Sequence, residues 1–345
     1  MFNHKKNIIF TILIFAISLM QISAKAQNKK GKKESEKKSI ISKQITSVDT
    51  TGKPSGDLFA ELDQQNASNK KSETDITTAT FKTTRLINGH SIENVAKGVL
   101  DVKISHRFGT LNEGAYAIWG LDAATMRMGV DYGITNRLMV GIGRSEYQKT
   151  YDGFFKYRIL RQSTGKVNMP ISVSYVASMH WKTIHFDATQ NDIVHYTDRL
   201  TYAHQLIIAR KMSDYFSLQV VPTLVHYNLV DYSSYSNNLI AMGFGARMKV
   251  SSRASVNAEY YYVLNKWDNA QTPYTNNFSL GMDIETGGHV FQFMLTNTQA
   301  MTERNFIGQT TGQWGKGDIH FGFNLGRVFT IKQPKGFEGS RNSTY

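Results

Sequence analysis

The side chains best placed to do chemistry are charged residues that alternate with apolar ones, so that each set shares a face. Lys103, Arg107, Arg127, Lys156, Arg158, Lys182, Arg247 and Lys249 make eight positive charges, and Asp101, Asp131, Asp152, Glu259, Asp283 and Glu285 six negative. Gathered on the inner wall of a tube, they would fill or narrow it as ion pairs. A strongly ion-selective pore would instead carry one sign in clear excess.

Other chemistries find less material. His180, His185, His195, His204 and His226 cluster around one connection, and imidazoles on one rim could ligate a transition metal. None has the spacing of a ligand motif such as H-E-x-x-H, so no metal or cofactor is expected. Ser178 stands two residues from His180 on one face, and Asp152 shares a face with Arg158, yet no third catalytic group or oxyanion donor can be named. There is no G-x-S-x-G and no phosphate-cradling glycine loop. Cysteine is absent, which excludes disulfides, thiolate metal sites, thiol nucleophiles and a lipid-modified cysteine. The chain is not expected to be an enzyme.

What must position the charged face is a set of strands. In VLDVKISHRF, Leu100, Val102, Ile104 and Phe108 oppose Asp101, Lys103, Ser105 and Arg107, a period of two. The pattern recurs to give twelve strands: 99–108, 124–132, 138–145, 151–162, 170–182, 199–210, 215–227, 238–249, 254–265, 277–286, 289–298 and 319–330. Alternate connections are short, and five of the other six have ten residues or more, which predicts an up-and-down barrel. The long loops, 183–198 and 299–318 among them, are expected outside the cell and the short turns in the periplasm. Ten tilted residues span an outer-membrane apolar band, and Trp119, Trp181, Trp267 and Trp314 gather at the long-loop rim like an interfacial girdle. The second face is rich in Gly, Ser, Asn and Ala, which suits a crowded lumen better than a soluble barrel's surface. Leu218, Val220, Leu280 and Met282 are expected to face lipid, and Ser279 the lumen, where an arginine should be better tolerated.

The chain of 345 residues is 41% hydrophobic and 12% aromatic, enough for a large core. Its net charge of +13 is mostly a tail effect, since ten lysines and two glutamates fall within residues 1–43 and leave +5 for the rest. Nucleic acid is therefore not an expected partner. Residues 1–26 have a basic start, an apolar run from Ile8 to Met20 and Ala24-Lys25-Ala26, the layout of a cleaved secretory signal peptide. Residues 27–80 read as a basic, mostly disordered periplasmic linker, which is either a solvated tether or, through Lys29 to Lys43, an arm that touches anionic polymer such as cell-wall material or lipid headgroups. Residues 81–98, with Phe81, Arg85, Leu86, His90 and Ile92, form a pre-barrel segment that either plugs the lumen or packs below it. The barrel follows at 99–332 and a short C-terminal tail at 333–345.

GIGRSEYQKTYDGFFKYRILRQ at 141–162, FKTTRLINGHSIE at 81–93 and VLDVKISHRFG at 99–109 resemble an uncharacterised family of Bacteroidota β-barrel proteins, a domain of unknown function. The resemblance covers about 81–332 and departs in the long loops. It implies an outer-membrane barrel, with membrane lipid and the barrel-assembly machinery as partners, and carries no activity or ligand. Two functions are expected of such a chain. It is either a narrow channel or small-solute transporter, or a non-conducting structural or interaction barrel that presents its loops or its basic tail.

Overall fold

A computed structural model describes residues 74–184, 195–267 and 273–332. The signal peptide, the linker through residue 73, the tail at 333–345 and His185 lie outside the described residues. The chain divides into two units, Met1–Asn69 and Lys70–Tyr345, and everything below lies in the second.

Twelve strands close into one antiparallel barrel: β2 (Val99–Thr110), β3 (Thr125–Gly133), β4 (Leu138–Ser145), β5 (Thr150–Leu160), β7 (Ser172–Lys182), β8 (Leu200–Lys211), β9 (Phe216–Tyr227), β10 (Asn238–Lys249), β11 (Ala254–Val263), β12 (Asn277–Thr286), β13 (His289–Thr296) and β14 (His320–Thr330). Each pairs with its neighbours in the chain, and β14 pairs with β2, with Thr330 opposite Val99. Closure leaves no unpaired edge, as a lipid-exposed sheet requires. Alternation then sorts the side chains. Leu280, Met282, Leu218 and Val220 are exposed on the outer wall, while Ser279, Ser217 and Gln219 are buried inside. Among the described residues no helix is long and apolar enough to cross a membrane.

The turns after β3, β8, β10 and β12 have four residues or fewer. The connection after β5 is longer than its composition suggests, because it holds a further strand, β6 (Ser163–Gly165). Here β1 (Thr74–Ile76) adds to β6 in a separate two-stranded sheet on the short-turn side. Thr77 N–H extends the pairing by donating to Gln162 O at 2.9 Å.

The interior is filled by the chain itself, from both ends. From the short-turn side, residues 80–95 enter as a finger that doubles back on itself. Leu86 N–H donates to Gly89 O at 2.9 Å across its tip, and Ser91 N–H to Thr84 O at 3.0 Å behind it. Residues 80–95 are buried or half-buried throughout, whereas Ala96 and Lys97, which follow them, are exposed. Both ends are tied at the rim: Thr80 N–H donates to the Glu93 carboxylate at 2.8 Å, and Gly98 N–H to Gly133 O at 2.8 Å. Phe81, Leu86, Ile87 and Ile92 are each 2% exposed and pack on Met139, Phe154, Val176 and Val221 of the wall. Burying such a side chain contributes about 1.5–3 kcal/mol. From the long-loop side, the connection between β13 and β14 dips inward and forms helix α1 (Glu303–Gly308). All of its residues are buried, with Phe306 and Ile307 against Tyr227, Leu239 and Tyr261. This corrects the expectation that the whole of 299–318 is an outside loop. Its buried positions are held in the barrel by aromatic packing.

Candidate functional site in the lumen

Most inward charges of the wall are spent on holding the finger. Its tip is a turn whose Asn88-Gly89 pair suits a tight reversal. There the N–H groups of Ile87, Asn88 and Gly89 all donate to the Glu259 carboxylate, at 3.2, 3.1 and 3.0 Å. Three donors converging on one carboxylate satisfy its charge without a cation. Arg107 donates to Asn88 Oδ1 at 2.8 Å and to Asn324 Oδ1 at 3.0 Å. Gln292 donates to Leu86 O at 3.0 Å and to Asp283 Oδ1 at 2.9 Å. Asn88 Nδ2 donates to Ser279 Oγ at 3.1 Å. Close approach is possible because Gly245 faces Leu86 and Gly89 faces Tyr261. A Cβ on Gly245 would stand 2.5 Å from Leu86 Cδ2.

Further along the finger, Lys103 bridges Asp101 and Asp131, the latter at 2.6 Å, and donates to Thr84 Oγ1 at 2.6 Å. Thr84 in turn donates to Asp131 at 3.0 Å. Lys156 donates to three finger carbonyls: Glu93 O at 2.5 Å, Ser91 O at 3.0 Å and Thr84 O at 3.3 Å. Arg247 donates to Ala79 O at 3.0 Å, and Arg158 lies 3.7 Å from the Glu93 carboxylate. Arg127 and Asp152 form a two-pronged pair within the wall. Of Lys103, Arg107, Arg127, Asp131, Asp152, Lys156, Arg158, Arg247, Glu259 and Asp283, all but the partly exposed Arg158 are buried. Seven of the ten touch the finger directly. Wall-to-wall pairing accounts for only part of the arrangement. Lys156, Arg107 and Arg247 are hydrogen-bonded to neutral oxygens, mainly the finger's.

The finger meets α1 at Glu303. Its carboxylate accepts from Arg85 Nη1 at 2.7 Å and lies 3.5 Å from His90 Nε2 and 3.6 Å from His180 Nε2. Arg85 also stacks over the Phe154 ring, 5.5 Å from its centroid. Burial, reinforced by the cations Arg85, Lys156, Arg127 and Lys103, holds the His90 pKa well below its usual value, so its ring is neutral at pH 7. Next to Glu303, Arg304 donates to Thr201 Oγ1 at 2.6 Å and lies over the Tyr227 ring, whose hydroxyl donates to Arg304 O. Glu303 and Arg304 are not among the sequence candidates. Their one signal is a charged pair set in an otherwise uncharged stretch, QAMTERNFIG.

Ser178 Oγ stands 3.1 Å from His180 Nε2, the nitrogen that also faces Glu303, while Nδ1 has no partner. In a nucleophilic triad serine and acid occupy opposite nitrogens of the ring, so this trio lacks that geometry. The other histidines are dispersed: His204 bonds Tyr175 at 2.7 Å on the outer wall, and His226 bonds Asn238 at 2.7 Å. Among the described residues no group of three or more metal-ligating side chains forms.

Comparison with known proteins adds to this. The chain is similar in form to the KdgM porin, at 7% identity and a TM-score of 0.38, over 68% of this chain and 99% of that one. An outer membrane channel from Pseudomonas putida is 13% identical with a TM-score of 0.42, over 69% and 97%. Outer membrane phospholipase A from Escherichia coli is 12% identical with a TM-score of 0.35, over 66% and 88%. Comparison with curated proteins by sequence finds no match. The family described as "Membrane bound beta barrel domain (DUF5777)" matches residues 81–329, the finger together with nearly all of the barrel. The chain belongs to this family of membrane-bound β-barrels.

Proposed function

We propose that the protein is an outer-membrane barrel, exported by a cleaved signal peptide, that is closed at rest and passes small solutes when its finger withdraws. The observation that carries this reading is the burial of the inward charges. A water-filled lumen would leave Lys103, Asp131, Lys156 and Glu259 wet, and all four are buried under the finger. The finger is held largely through polar bonds to its backbone, and water can replace each of these as it leaves. Withdrawal toward the short-turn side, the periplasm in this reading, breaks no barrel strand.

The apolar interlock of Phe81, Leu86, Ile87 and Ile92 favours the second reading, a non-conducting barrel whose finger is a permanent core. Planar bilayers separate the two. Because the chain has no cysteine, Asn88→Cys with Ser279→Cys places one reducible link between finger and wall. In the gated reading this variant is silent when oxidised and gives discrete current steps when reduced. Silence in both states, and in a variant lacking 81–93, makes it an interaction barrel.

Membrane lipid, the assembly machinery during insertion and cell-wall polymer at Lys29 to Lys43 remain the partners in this reading, with no role for nucleic acid. The shared nitrogen of His180 supports a function without catalysis. The stretch at 141–162 supports a Bacteroidota source.

A further inference from the structure

The outer wall carries a defect at the join of β4, β5 and β7. Ladder pairing places Ile142, Gly153 and Met179 in one row across these strands, and Arg144, Tyr151 and Trp181 in the row next nearer the long-loop rim. All six side-chain positions face outward. Gly153 leaves the middle of its row empty: a Cβ built there meets only Gly141 O, at 3.9 Å. The gap belongs to an apolar groove of about 520 Å³ on the lipid side of the barrel, lined also by Val102 of β2 and by Met128 and Val130 of β3. Ile142 at its flank is 70% exposed, far more than Leu280 at 40% or Met282 at 36%.

The upper end of the groove is charged. Arg144 is exposed, and its guanidinium lies over the Tyr151 ring, 5.5 Å from the centroid. Tyr151 in turn stacks at a tilt on Trp181, with centroids 6.2 Å apart. Among the described residues no carboxylate lies within ion-pair distance of Arg144. Aromatic rings mark the depth at which a barrel meets the headgroups, and a cation held there attracts anionic lipid. We propose that this groove binds one anionic phospholipid-type molecule. An acyl chain would fill the gap at Gly153 between Ile142 and Met179, and the phosphate of the headgroup would pair with Arg144. The groove continues from Gly153 over Met128 and Val130 to Val102 as an apolar strip with one cation at its end, which fits an acyl chain and its headgroup, whereas a second copy of the chain would need a broad complementary patch.

The test uses full-chain protein in detergent, with phosphatidylglycerol and phosphatidylcholine of identical acyl chains as probes and native mass spectrometry as readout. The parent should retain one phosphatidylglycerol at collision energies that strip the other lipids, and inorganic phosphate should not displace it. Arg144→Ala should lower the preference for phosphatidylglycerol over phosphatidylcholine about five-fold, the value of one cation near a headgroup plane. Gly153→Leu should abolish retention of both lipids, since its side chain fills open space. Gel migration with and without boiling shows that each variant is folded. Equal retention by the parent and both variants overturns the site. So does a change in self-association without a change in lipid retention, which would assign the groove to a second copy.

Discussion

Arg85 donates to Glu303 at 2.7 Å, a bond between residues 218 positions apart that joins the finger from one end of the barrel to the helix from the other. Both side chains are buried, at 8% and 1% exposure. Removing one member of such a pair leaves a bare charge in a dry site, at a cost of about 3–5 kcal/mol, while replacing both by apolar groups is often neutral. Glu303→Gln and Arg85→Met should therefore each loosen the finger and raise bilayer current. Glu303→Leu combined with Arg85→Met should return the barrel to silence.

Acid should also loosen the finger, through His90. Its seated pKa lies well below the usual value because of burial, whereas in a withdrawn finger the ring would titrate near its ordinary value of about 6.5. The withdrawn form then binds the extra proton, so seating is fully favourable above that pH and weakens as pH falls below it. Single-channel open probability should rise between about pH 6.5 and 5. His90→Asn should flatten the profile in that window.

Ser279 and Leu280 are neighbours with opposite fates. Leu280→Arg puts a charge into lipid at roughly 2–4 kcal/mol and should impair insertion, seen as loss of the heat-modifiable gel band. The alternation suggests that Ser279→Arg is tolerated, but Ser279 is fully buried and bonded to Asn88 and Thr296. An arginine there should still allow the barrel to form while expelling the tip of the finger. The expected result is normal gel migration with increased current.

Glu259 anchors that tip by accepting from three successive amides. Glu259→Gln removes the charge and turns half of the acceptor into a donor that faces N–H groups. Hydrogen bonds to a charged group contribute about 1.5–3 kcal/mol, so amide exchange at 87–89 should speed up about ten- to hundred-fold. Exchange in β11 itself should be unchanged, since its ladder bonds are untouched. Uniform acceleration through the barrel would show instead that finger and wall open as one unit.

The barrel was legible because its strands meet two environments, an apolar one outside and a polar packed interior, and that demand is written at period two. The alternation of Ser279 with Leu280, and the short turns after β8 and β12, follow from it directly. The finger has no such signature. Leu86 and Ile87 are adjacent apolar residues beside an Asn-Gly turn, and their surroundings come from strands as distant as β13 and β14. Glu303 and Arg304 read as solvated loop residues, and become buried only because Arg85 and Tyr227 wait for them inside. Alternation also named the inward charges without naming their partners. Nothing in the spacing of Lys156 or Arg247 distinguishes a carboxylate across the barrel from a carbonyl of the finger.

The seam between β2 and β14 sets an order of events in biogenesis. Thr330 pairs with Val99, so the ring cannot close until the last strand has been made. The finger lies entirely before the first barrel strand, and α1 sits in the last connection before the final one. Both occupants of the lumen therefore precede the strand that seals it, and the growing sheet can curl around a finger already present, with no need to thread it through a finished hole. A circular permutant that moves residues 74–98 behind β14 would keep every contact and reverse this sequence. Its yield of closed barrel would measure how far the finger acts as a mandrel.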